Sequence, residues 1–134
     1  MKNVYTWAAK PAKRSTTVGD LKAAKGKKKF TQVTANTVDE AAAAEKAGFD
    51  MIIANAKNIT PVREGSKNLF LTAALVLNEF VTADDIMRGA FKALENGADA
   101  VMTPRSMDIV EMLAKEDVPV TVSYTHLRAH ETAM

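Results

Sequence analysis

Apolar residues fall in short runs along this chain, and the runs alternate with segments of helical spacing. The stretch FTQVTA (30–35) is apolar and β-branched enough to predict a buried strand. NTVDEAAAAEKAG follows and predicts a helix. Asn36 or Thr37 can cap it, Asp39 and Glu40 place negative charge in its first turn, the alanines propagate it and Gly48 ends it. DMIIAN (50–55) reads as a second strand, and its lack of polar alternation predicts cover on both faces. NLFLTAALVL supplies a third. In TADDIMRGAFKALENG, Thr82 is a cap and Ile86, Ala90, Phe91 and Leu94 form an inward stripe. A fourth strand begins near ADAVM, SMDIVEMLAKED is a short amphipathic helix capped by Ser106, and VPVTV starts a fifth strand. Met102, Met107 and Met112 read as core filler.

One unit recurs. EKAGFDMIIAN and ENGADAVMTPR share Glu, Gly, Asp and an apolar strand, with Gly48 and Asp50 matched by Gly97 and Asp99. Strand and helix therefore alternate, which predicts an α/β fold with parallel strands. Two closures fit: an open doubly wound sheet, or the leading part of a (β/α)₈ barrel. The chain has neither a Gly-x-Gly-x-x-Gly nor a P-loop, which weakens the nucleotide-binding open sheets.

Composition narrows this little. The 134 residues hold one modest domain, and the absence of cysteine excludes disulfides, thiolate metal sites and cysteine nucleophiles. A cytoplasmic setting is expected, with no membrane span. Charge is distributed unevenly: residues 1–30 carry nine Lys or Arg against one acid, whereas the remainder carries nine against fifteen. Residues 1–17 are expected to form a basic arm, anchored or not through Tyr5 and Trp7, and KGKKKF a solvated turn. KGKKKF has no interleaved aromatics and no recognition motif nearby, so a nucleic-acid partner is not expected.

Residues 16–120 resemble the start of the ketopantoate (3-methyl-2-oxobutanoate) hydroxymethyltransferase family. The matching features are Thr17–Leu21, the Lys25–Lys29 turn, Thr34-Ala35-Asn36-Thr37, Ala47-Gly48 and Asp50–Ile53. They continue in the TADDIMRGAFKALENGADAVMTPRSMDIVEMLAKEDVPV segment. The resemblance implies a (β/α)₈ TIM-type barrel, incomplete here, with residues 18–120 as its N-terminal half. It also implies transfer of a one-carbon unit from methylenetetrahydrofolate to a small-molecule α-keto acid in pantothenate synthesis. Mg²⁺ would assist, and the full-length parent would be a homo-oligomer. Where the family carries metal carboxylates and a substrate lysine, this chain has Ala54-Asn55-Ala56-Lys57, Ala73-Ala74-Leu75 and Met102-Thr103-Pro104. A rival reading is a catalytically degenerate barrel that serves as a binding or assembly subunit.

The polar residues at the expected strand ends are Asn55, Lys57, Asn58, Asn78, Glu79, Thr103 and Arg105. Asn55, Lys57, Thr103 and Arg105 are candidates to bind a carboxylate or phosphate without a metal. Arg105, beside Pro104 and Ser106, is the first choice for an anion contact. Glu79 is the candidate base. The alternative for each is loop and cap chemistry.

His126 and His130, four apart with Glu131 beside them, have the spacing of a helical zinc pair. However, residues 122–132 resemble the in-frame translation of a transposase-end sequencing adapter. That resemblance implies that residues 121–134 are a non-native tail, that both histidines are artefactual, and that the natural gene continues past Val120.

Overall fold

A computed structural model describes residues 1–122. Its elements, in chain order, are β1 (Lys2–Tyr5), β2 (Pro11–Arg14), α1 (Val18–Ala23), β3 (Gln32–Thr34), α2 (Val38–Lys46) and β4 (Met51–Asn55). A single 3₁₀ turn (Ala56–Asn58) leads into α3 (Ile59–Gly65). Then come β5 (Phe70–Ala74), α4 (Ala83–Glu95), β6 (Ala100–Met102), α5 (Met107–Lys115) and β7 (Val120–Thr121). β3 to β7 form one parallel sheet in sequential order, while β1 and β2 make a separate antiparallel hairpin. A doubly wound sheet reverses its strand order part-way, and no reversal occurs among the described strands. Crossovers that all step the same way, in the usual right-handed sense, bring their helices to one face.

The core lies on that face. Ile52, Ala54, Leu71, Ala73 and Val101 of the sheet pack with Ala41 and Ala44 of α2, Val62 of α3, Ile86, Ala90, Ala93 and Leu94 of α4, and Leu113 of α5. The expected stripe on α4 is therefore inward at Ile86, Ala90 and Leu94, with Phe91 only half-buried. On β4 burial alternates: Ile52 and Ala54 are buried, and Met51, Ile53 and Asn55 are half-buried. Cover on both faces, expected for this strand, is thus incomplete at Met51, Ile53 and Asn55.

The repeated Gly-x-Asp unit has a structural explanation. Gly48 and Gly97 adopt left-handed backbone (φ +87° and +116°) where their helices end, a conformation natural to glycine. After each helix the chain turns identically: Phe49 N–H donates to Ala44 O (3.2 Å), and Ala98 N–H to Ala93 O (3.0 Å). Each aspartate then ties its own strand to the preceding one. Asp50 Oδ2 accepts Thr31 N–H (2.8 Å), and Asp99 Oδ2 accepts Leu71 N–H (3.0 Å).

Three features differ from the sequence expectation. The basic arm is a β-hairpin whose Trp7 stacks on Phe91 of α4, ring centroids 5.4 Å apart, while Tyr5 stays exposed. A helix, α3, fills the second strand-to-strand connection. It escapes prediction because it is one short element with Pro61 in its first turn, a position that tolerates proline. Met107, read as core filler, is exposed at the start of α5. Ser106 stands at the cap position of α5 but makes no side-chain cap bond. By contrast Thr37 and Thr82 cap α2 and α4 as their spacing predicts, Thr82 with a reciprocal bond from Asp85.

Candidate functional site

The two ends of the parallel sheet carry different polar chemistry. At the N-terminal end, Asp99 is gripped by two arginines. Arg14 Nε lies 2.9 and 3.0 Å from its two oxygens, and Arg63 Nη2 lies 2.9 Å from Oδ2. Further guanidinium donors go to backbone carbonyls of Lys13 and Lys67 for Arg14, and of Gly97, Ser66 and Leu69 for Arg63. Arg14 is 4% exposed. Burial pushes the Arg63 guanidinium down to about 10, with Asp99 pulling it back up and Arg14 pushing further down. At neutral pH it therefore stays charged. These charges are used internally, joining β2, α3, β5 and β6.

At the C-terminal end, side chains converge without being buried. β4 ends at Asn55, and the 3₁₀ turn follows directly because Asn55 Oδ1 accepts Lys57 N–H (3.0 Å). Asn36, just beyond β3, holds this corner. Its Oδ1 accepts Asn55 N–H (2.8 Å) and Asn58 Nδ2–H (3.1 Å), and its own N–H donates to Glu40 (2.9 Å). Glu79 reaches over from the loop after β5. Its Oε1 is 3.3 Å from Lys57 Nζ, and its Oε2 accepts from Asn55 Nδ2 at 3.5 Å. Lys57 is 62% exposed and Glu79 26% exposed at the side chain. The cluster is an accessible cation, an amide donor and one carboxylate at adjacent strand ends.

Asn55, Lys57 and Glu79, three of the sequence candidates, thus come together. Thr103 and Arg105 do something else. Thr103 is buried, and its Oγ1 accepts Arg105 N–H (3.2 Å). Arg105 turns its guanidinium onto the loop after β5, where Nη2 donates to Leu77 O (2.5 Å) and Phe80 O (3.3 Å). Its Nε is buried without a hydrogen-bond partner. Asn78 is exposed on the same loop. Asn36 is the residue that sequence reasoning passed over as only a cap; its role depends on β3 and β4 being neighbours, which its local sequence does not state. His126 and His130 lie outside the described residues.

Mg²⁺ takes hard oxygen ligands in near-octahedral geometry, commonly one or two carboxylates with waters. At the C-terminal strand ends Glu79 is the carboxylate that meets Asn55 and Lys57 and is already paired with Lys57, while Glu40 accepts from Asn36 N–H. No group of three or more potential His, Cys, Asp or Glu ligands exists among the described residues. These side chains do not fit a Mg²⁺ site.

No family model matches the chain, and no curated protein matches it. The likeness lies in the fold. Among solved structures, a rubisco-like protein from Burkholderia fungorum superposes with a TM-score of 0.53 at 14% identity. The match covers 84% of this chain and 35% of that one, so this chain spans about a third of that protein's length. At this identity the likeness speaks for the path of strands and helices alone. No helix among the described residues is long and apolar enough to cross a membrane.

Proposed function

We propose that this chain is the N-terminal part of a (β/α)₈ barrel acting on an α-keto acid, in the manner of the ketopantoate hydroxymethyltransferases it resembles. The observation that carries the reading is the meeting of Asn55, Lys57 and Glu79 at the C-terminal ends of β4 and β5. They stand on a sheet whose strands each step one place the same way. Parallel α/β sheets and barrels bind their ligands at that end. On this reading Lys57 and the Asn55 amide hold the keto acid's carboxylate by charge and hydrogen bonding. Glu79 takes the proton from the carbon beside the ketone, which becomes the carbon nucleophile. Methylenetetrahydrofolate supplies the one-carbon unit and water its hydroxyl oxygen; both carbon–nitrogen bonds to that unit break, and tetrahydrofolate leaves with the proton from Glu79 and one from water. No step is assigned to a metal, since the described side chains do not fit one. The parent is read as a cytoplasmic homo-oligomer.

A second reading has one observation in its favour: Glu79, the carboxylate that meets Asn55 and Lys57, is already engaged by Lys57. A catalytically degenerate barrel serving as a binding or assembly subunit fits that. To separate the two, the source gene is read across codon 120 and its product is assayed for hydroxymethyl transfer to 3-methyl-2-oxobutanoate. Formation of the hydroxymethylated keto acid supports the enzyme. Binding of the keto acid without turnover favours the subunit, and no binding at all contradicts the enzyme.

A further inference from the structure

Arg105 was the sequence's first choice for an anion contact, yet its guanidinium faces the protein. Nη2 donates to the carbonyls of Leu77 and Phe80, which flank Glu79 by two residues and by one. The same loop is closed from within by Glu79 N–H and Phe80 N–H, both donating to Val76 O (3.1 and 3.0 Å). On the far side Phe80 lies against Gly89 of α4, where a Cβ would come within 2.5 Å of the Phe80 ring. At its root Arg105 is held by Thr103 Oγ1 through its own backbone N–H. One planar, charged nitrogen, Nη2, thus ties two backbone carbonyls of the same loop at once and fixes their relative position. Between these two carbonyls sits the one carboxylate that touches Lys57 and Asn55.

From this we infer that Arg105 is the positioning residue of Glu79. It clamps the 77–80 backbone against the β6 end, and so sets how far the carboxylate stands from Lys57 Nζ. Thr103 acts one step further back by orienting the Arg105 backbone. The inference deepens the proposed site: it supplies what would hold the base still while substrate enters. Its truth does not depend on the reaction, because the position of Glu79 can be read without any substrate.

A water-soluble carbodiimide joins an amine to a carboxylate only where the two touch, so the yield of a Lys57–Glu79 amide, read by peptide mass spectrometry, reports their contact. Lys115 and Glu111 on α5, also 3.3 Å apart, provide an internal control. In Arg105→Gln the Lys57–Glu79 link should fall about fivefold, the effect of losing a charge-assisted clamp, while the Lys115–Glu111 link holds. Amide hydrogen exchange at Glu79 and Phe80 should quicken in the same variant. Arg105→Gly with added methylguanidinium should regain the link, a rescue that a general loss of folding would not show. An unchanged Lys57–Glu79 yield in Arg105→Gln would overturn the inference. So would a parallel loss of both links, which would make Arg105 a residue of the fold at large. Failure of the keto acid assay with the cross-link behaving as described would leave the clamp standing and remove only the proposed chemistry.

Discussion

The N-terminal and C-terminal ends of the same five strands handle charge in opposite ways. At the N-terminal end Asp99, Arg14 and Arg63 satisfy one another almost completely, with bonds near 2.9 Å and little exposure. At the other end Lys57, Asn55 and Glu79 meet at 3.3 and 3.5 Å with the ammonium open to solvent. Removing one partner of a buried ionic group leaves an uncompensated charge in a low dielectric, whereas an exposed pair is already solvated. The first arrangement is therefore rigid and committed to the fold. The second can release its partners to a ligand at small cost, which is what a binding end requires.

Breaking the N-terminal end should have the largest effect. Asp99→Asn leaves two guanidinium groups without their counter-charge and should lower unfolding free energy in urea by about 3–5 kcal/mol. A loss under about 1 kcal/mol would mean that the carbonyl bonds of Arg14 and Arg63 suffice, and the contrast between the ends would weaken. Next comes the packing of α2 on α3, where a Cβ at Gly65 would fall 2.2 Å from Val38 O. Backbone cannot yield as a side chain can, so Gly65→Ala should cost about 1–3 kcal/mol by the same measurement.

A smaller effect is expected from the hairpin. Trp7→Ala removes the stack on Phe91 from a half-exposed site and should lower stability by about 1 kcal/mol. Faster amide exchange in β1 and β2 should accompany it, with the parallel sheet unaffected. Least of all, Lys57→Gln should change stability by no more than about 0.5 kcal/mol, as for other exposed ion pairs. Its keto acid affinity should nevertheless fall roughly tenfold, the loss of one charge-assisted contact. A variant that is stable and binds as well as the wild type would remove Lys57 from the site.

What the sequence made legible was local. Thr37 and Thr82 announce helix starts, Gly48 and Gly97 announce their ends, and the recurring aspartates mark two equivalent turns into strands. Signals of this kind operate within a few residues. The N-terminal charge network joins residues 85 and 36 positions apart, and nothing near Arg14 or Arg63 names Asp99 as their partner. Arg105 misled for a related reason: its partners are backbone carbonyls 28 and 25 residues away, which carry no sequence signature at all. Asn55, Lys57 and Glu79 could be named because they directly follow apolar runs; that they meet depends on β4 and β5 being parallel neighbours. The hairpin was hidden because its anchor, Trp7 on Phe91, is a long-range contact.

The central claim is that Glu79, beside Lys57 and Asn55, removes a proton from a bound α-keto acid. Its most direct test is deuterium exchange at the carbon beside the ketone of 3-methyl-2-oxobutanoate, followed by proton NMR in D₂O. The protein is the product of the gene read through codon 120, with a chelator present. The account predicts exchange that persists with the chelator and drops at least about a hundredfold in Glu79→Gln, the scale of one general base. Exchange that requires Mg²⁺, or that is unchanged in Glu79→Gln, would contradict it and place the chemistry on residues outside this cluster.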